Sequence, residues 1–124
     1  MTESQLGRIV WTDLTVKDAE QLRDFYAAVA DWRFEPVPMG AYADFNMIPR
    51  DSGGPAAGIC HARGTNAGLP AQWLVYISVS DLDRAIRECE LRGGRVINGP
   101  RSMGEQRFCV IQDPAGAVAG LIGP

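Results

Sequence analysis

The second half of this chain repeats the first, and that limits its fold more than any other feature. Trp11-Thr12-Asp13-Leu14-Thr15-Val16-Lys17-Asp18 and Leu74-Val75-Tyr76-Ile77-Ser78-Val79-Ser80-Asp81 share an apolar alternation and a terminal Asp at an offset of 63 residues. Self-similarity of this kind marks one supersecondary unit used twice. Each block alternates with period two and predicts a strand. Val10, Leu14 and Val16 fall on one face, answered by Val75, Ile77 and Val79 in the second copy. The opposite faces carry Trp11, Asp13, Thr15 and Leu74, Tyr76, Ser78. That mixture is too polar for a core and too aromatic for plain solvent, so both faces are expected to line a cavity.

Asp18 and Asp81 can each cap a following helix by accepting from its unpaired backbone N–H groups. Ala19, Leu22 and Tyr26 map onto Leu82, Ala85 and Cys89, a helix-spaced stripe that Phe25 and Val29 widen in the first copy and that predicts core packing. The first helix should end near Asp31-Trp32, the second at Gly93-Gly94, where glycine suits a left-handed stop. Strands are expected over Arg33–Val37, Tyr42–Ile48 and Ala57–Ala62, with turns at Pro38-Met39-Gly40 and Asp51-Ser52-Gly53-Gly54-Pro55. Arg95–Ile97, Arg107–Gln112 and Ala117–Ile122 do the same in the second half, with turns at Asn98-Gly99-Pro100 and Asp113-Pro114-Ala115-Gly116. Gly64 to Pro70 reads as a linker. Units of roughly sixty residues bury too little surface to be comfortable alone. One domain, residues 1–124, built from module one (7–63) and module two (71–124), is therefore expected.

The chain's 124 residues leave no room for a separate cofactor domain. A net charge of -3 argues against nucleic acid as a partner, since phosphate backbones are bound through a basic surplus. No apolar window approaches a membrane span, and Met1-Thr2-Glu3-Ser4-Gln5 has no leader character, so a soluble cytoplasmic protein is expected. Cys60, Cys89 and Cys109 are odd in number with no CxxC spacing, which fits a reducing compartment; Cys60 and Cys109 read as small buried side chains. No HExxH, GxSxG or phosphate-binding glycine loop is present, and Gly53-Gly54 is explained as a turn.

The opening run with Phe25-Tyr26 and Trp32, then Trp73, Tyr76, Asp81 and Gly93-Gly94, and the closing Asp113-Pro114-Ala115-Gly116-Ala117-Val118, resemble the vicinal oxygen chelate superfamily. That superfamily holds glyoxalase I, bleomycin-resistance proteins and extradiol dioxygenases, and the chain looks most like its subgroup related to lactoylglutathione lyase. The resemblance implies an α+β fold of two tandem βαβββ modules, a curved mixed sheet around a cleft, and a homodimer. In metal-using relatives His, Glu or Gln on the first and last strands of each module hold the metal. Those positions fall here on Trp11, Leu74 and Gly120 and, at the corresponding place in module one, near Gly58, none of which can be a ligand. No metal or other cofactor is expected, and the glyoxalase isomerisation, which a metal makes possible, is disfavoured. The only histidine, His61, with Asp13 and Asp44, is the remaining material for an unconventional site, although a lone His here reads first as a surface or strand-end residue.

The ligand-facing set implied by alternation and resemblance is Trp11, Asp13, Thr15, Leu74, Tyr76, Ser78, Val118 and Gly120, an aromatic and apolar lining with polar anchors. Arg107 could anchor an anion or be a solvated charge. Three readings follow. The first is metal-free binding of a small, partly aromatic or apolar molecule, in the manner of bleomycin-resistance proteins. The second is a lyase or isomerase using Asp13 or Tyr76 for acid–base chemistry, or an atypical metal. The third is a dimeric interaction module, which the polar Asp13, Thr15 and Ser78 disfavour.

Overall fold

The computed structural model describes residues 5–51 and 53–124. Residues 1–4, and Ser52 of the turn expected at 51–55, lie outside the described residues. The elements are β1 (Ile9–Val16), α1 (Ala19–Val29), β2 (Arg33–Pro38), β3 (Ala43–Ile48) and β4 (Ala57–His61), then β5 (Trp73–Ser78), α2 (Leu82–Leu91), β6 (Arg95–Met103), β7 (Gln106–Gln112) and β8 (Val118–Gly123). This is an α+β chain with the βαβββ order twice. Among the described residues no helix is long and apolar enough to cross a membrane.

The helix starts follow from their caps. Asp18 Oδ1 accepts from the Gln21 N–H at 3.1 Å and Asp81 Oδ1 from the Arg84 N–H at 3.1 Å. Each carboxylate satisfies a backbone donor that a helix leaves orphaned. Past α1, Asp31 takes φ 58°, and its carboxylate accepts from Arg50 Nε at 2.6 Å. At the end of α2 the left-handed position falls on Gly93, φ 95°.

The chain packs as two compact units, Thr12–Trp73 and the described residues up to Trp11 together with Leu74–Pro124. In the first, the strand order is β2-β3-β4-β1, with β1 parallel to β4 and the other pairs antiparallel. Its core is Leu14, Ala19, Phe45, Met47 and Ile59, flanked by Leu22, Tyr26, Trp32 and Trp73. Trp73 Nε1 donates to Tyr26 Oη at 3.1 Å, so the polar tips of two packed aromatics satisfy each other. In the second unit the order is β5-β8-β7-β6, with β5 parallel to β8. Leu82, Cys109 and Leu121 form its core under Ile77, Val79, Ala85 and Ile86. The Gly7 N–H donates to Ser78 O at 2.8 Å and the Ser78 N–H to Arg8 O at 2.9 Å, tying the segment just before β1 to the end of β5.

Two expectations need correction. Phe25 and Val29 are 52% and 67% exposed, not core. Ala19, Leu22 and Tyr26 fill the stripe facing the strands, and the two wider positions rotate past its edge. Asn98-Gly99-Pro100 is not a turn but lies inside β6, which continues to Met103 with register shifts against β7 between Val96 and Arg101. Gly99 takes φ 81°, and a Cβ there would sit 2.9 Å from Phe108 O, so a residue read as a turn signal instead lets two strands approach through an irregularity. The linker at 64–70 contains a 3-10 turn over Gly64–Asn66.

Candidate functional site

In the Thr12–Trp73 unit, Leu14, Phe45, Met47 and Ile59 point toward α1. Strand alternation therefore turns Asp13, Thr15, Asp44, Asn46, Gly58 and Cys60 to the face without a helix. Register places Asp13 beside Gly58 and Thr15 beside Cys60. Thr15 and Asp44 are buried, while Asp13, Asn46 and Cys60 are half-buried. The Cys60 thiol bonds the Asp44 carboxylate. Burial pushes that thiol up strongly, and the charges of Asp13 and Asp44, with the bond to Asp44, push it further. Cys60 is thus a protonated partner of Asp44 rather than a nucleophile.

Asp44 connects this face to His61. Its Oδ1 accepts from the His61 backbone N–H at 2.8 Å and lies 3.1 Å from His61 Nδ1. On the far side of the ring, Nε2 lies 2.8 and 3.1 Å from the two carboxylate oxygens of Glu20, in the first turn of α1. The His61 side chain is 9% exposed and that of Glu20 49%. Tyr42 packs edge-on against the imidazole at 5.1 Å between centroids, under the Arg63 guanidinium at 4.1 Å from the Tyr42 ring. Burial is the largest single influence on His61 and lowers its pKa, but the hydrogen bonds and charges of Glu20 and Asp44 together outweigh it and raise it. The His61 bond holds Glu20 below the usual carboxylate range. The arrangement therefore favours an imidazolium with a carboxylate on each nitrogen.

His61 does end a strand, but it is buried rather than a surface residue: Glu20 and Asp44 supply the partners that make burying an imidazole tolerable. Nor does it join Asp13 in a chelate, because its two nitrogens face carboxylates on opposite sides of the ring. Sequence reasoning missed Glu20 altogether. It stands 41 positions from His61 in an ordinary first helical turn, and no local pattern marks it.

In the other unit, Leu74, Tyr76 and Ser78 are all buried on the face of β5 turned away from Ile77 and Val79. Tyr76 is in register with Gly120, and a Cβ at Gly120 would collide with Cδ1, Cε1 and Cγ of the Tyr76 ring. The ring leans on the bare backbone of β8 and meets Phe108 edge-on at 6.2 Å, while the Arg101 guanidinium lies 4.9 Å from the Phe108 centroid. The Ser78 hydroxyl is fully buried with no hydrogen-bond partner among the described residues. Trp11 groups with this unit and is half-buried, as is Val118 at the start of β8. The expected lining thus divides: Asp13 and Thr15 come together with Asp44 and Cys60, and Tyr76 comes together with Gly120. Arg107 pairs with Asp83 at 3.1 Å on the surface, an interaction that raises Arg107 and lowers Asp83.

At the positions where metal-using relatives carry ligands, Trp11, Gly58, Leu74 and Gly120 offer no donor side chain, and the Tyr76 ring occupies the space beside Gly120. Among the described residues no group of three or more His, Cys, Asp or Glu is disposed around a common point for a metal ion. The residues do not fit the family's metal.

The model of the glyoxalase/bleomycin resistance protein/dioxygenase superfamily matches residues 8–119. The chain belongs to this superfamily. It is similar to "Putative glyoxylase CFP32" of Mycobacterium tuberculosis, with 30% identity over 123 residues, covering 97% of this chain and 47% of that protein. It is also similar to the anthracycline biosynthesis protein DnrV of Streptomyces peucetius, 30% identical over 129 residues, covering 94% of this chain and 47% of that one. The chain spans about half the length of these curated relatives. Among solved structures, methylmalonyl-CoA epimerase from Mycobacterium tuberculosis superposes with TM-score 0.57 at 16% identity, over 100% of this chain and 92% of that one. A methylmalonyl-CoA epimerase in complex with methylmalonyl-CoA and NH4+ gives 0.57 at 18%, over 95% and 94%. At such identities the likeness concerns the superfamily fold.

Proposed function

We propose that this superfamily member binds a small, partly aromatic or apolar molecule on the helix-free faces of its strands, without a metal at the family's ligand positions. The observation that carries the reading is the Tyr76 ring lying over Gly120, an aromatic surface where relatives place a carboxylate ligand. The buried, unpartnered Ser78 hydroxyl supports it, since a polar group of a bound molecule would relieve a desolvation cost of about 1–3 kcal/mol. A relative named for anthracycline biosynthesis is consistent with a polycyclic aromatic ligand. Phe25 and Val29, exposed one turn apart on α1, support a homodimer, which sedimentation equilibrium would check.

A thermal-shift screen of planar aromatic compounds and divalent metals tests the proposal, because a ligand of the native state must raise the melting temperature. Shifts with aromatic compounds that persist in excess chelator are expected. A stoichiometric first-row metal that survives dialysis, with shifts seen only in its presence, would sink the idea. Acid–base catalysis of the lyase or isomerase type is a second reading. One observation favours it: Asp13 shares its face with Asp44, and Asp44 is bonded to a buried histidine.

A further inference from the structure

We infer that Glu20, His61 and Asp44 form a proton relay through the Thr12–Trp73 unit, linking solvent on the helix side to an acid–base group, Asp44, on the helix-free face. The inference rests on the acid–base reading above and assigns it a centre. Asp44 is the group a ligand would meet, and His61 is a positioning residue that acts through it.

The geometry is continuous. Glu20 is half-exposed and contacts Nε2 through both oxygens, at 2.8 and 3.1 Å. Asp44 is buried, meets Nδ1 at 3.1 Å, and is fixed by the His61 backbone N–H at 2.8 Å. Its contact with the Cys60 thiol places the carboxylate at the face that also carries Asp13. A histidine serving only to fill a core needs one acceptor for its one N–H. Here each ring nitrogen has a carboxylate, and the two carboxylates differ sharply in exposure.

The proton balance is simple. A solvent proton that reaches Nε2 of a neutral, Nδ1-protonated His61 by way of Glu20 makes the ring the imidazolium held between the two carboxylates, and Nδ1 then gives its proton to Asp44. The result is a Glu20 carboxylate, a neutral His61 protonated at Nε2 and an Asp44 carboxylic acid. The reverse passage returns a proton to solvent, so Asp44 can take up or release one proton without opening its buried site to water. The other groups around the relay are Arg23 on α1, whose charge also acts on Glu20, Tyr42 beneath Arg63 ahead of β3, and Cys60 and Asp13 on the face beyond Asp44. Arg23 is held by Asp24 at 2.9 Å and lies over the Phe34 and Phe45 rings, outside the path.

The test needs no ligand, so its failure is separate from failure of the binding screen. Side-chain carboxyl carbons and the His61 ring nitrogens are followed by NMR from acid to alkaline pH in the intact chain. The Asp44 and His61 signals are expected to move through shared, coupled steps. Glu20→Gln, at an exposed position, should lower the His61 midpoint, since it removes one of the two carboxylates that raise it, and should also shift the Asp44 signal, although Asp44 does not touch Glu20. Glu20→Asp should recover part of both shifts. A Glu20→Gln protein in which His61 moves while Asp44 titrates as before would overturn the relay. So would ring nitrogens reporting one fixed tautomer throughout. Circular dichroism of each variant verifies that the fold is intact, and should Glu20→Gln misfold, Glu20→Asp alone carries the same comparison.

Discussion

A methyl group at Gly120 would have to occupy space that the Tyr76 ring already fills. Gly120→Ala is therefore expected to cost about 1–3 kcal/mol, the usual range for overpacking a filled site. If the collision is the cause, Tyr76→Ala should cost less in the Gly120→Ala background than alone, a coupling that urea denaturation of the double-mutant cycle would reveal. His61 calls for a different experiment, because its contribution depends on pH. Its folded pKa is raised above 6.5, so its stabilisation is fully present below that value and is lost as pH rises through the raised one. Glu20 runs the other way: its pKa is lowered from 4.5, so its share is present above that value and fades as pH falls through the lowered one. The stability difference between the native chain and His61→Gln should then be largest at weakly acidic pH and shrink on both sides. Denaturation at a series of pH values checks this, and a difference flat across the whole range would contradict it.

Among the elements, the helices were legible because their signals are local. Asp18 and Asp81 stand where the period changes from two to about 3.6, and both carboxylates make the cap that their position implies. Asp18→Ala and Asp81→Ala should each cost about 1 kcal/mol in chemical denaturation, the typical loss for a helix cap. A loss below experimental error at either would mean that tertiary packing alone fixes that helix start. β6 was not legible, since Gly and Pro break a strand in isolation and only the facing strand shows that the break is absorbed as an irregular register. Phe25 and Val29 were misplaced for a related reason. Helical spacing shows which residues share a face but not how wide a stripe the strands beneath will cover. The buried His61 was beyond reach because both its partners come from other elements, and one of them, Glu20, lies in α1.

For the molecule as a whole, the repeat showed the doubled architecture, while the compact units show which residues each half needs. Trp73 belongs with the first: its ring lies 5.1 Å from Tyr26 and 6.0 Å from Trp32, with its N–H bonded to the Tyr26 hydroxyl. Gly7 and Arg8 belong with the second through their two hydrogen bonds to Ser78. Cutting the chain at the gap between the repeats, into 1–63 and 71–124, therefore takes Trp73 from one aromatic cluster and the Gly7 and Arg8 hydrogen bonds from Ser78. Fragments of this size bury only about 60% of the surface that their unfolded chains expose, so neither has stability to spare. Each fragment alone is expected to give no cooperative transition in urea and poorly dispersed amide NMR spectra, whereas the intact chain should unfold in a sharp step. A sharp transition in fragment 1–63 would show that Trp73 is dispensable to its cluster. One in fragment 71–124 would show the same for the Gly7 and Arg8 bonds to Ser78.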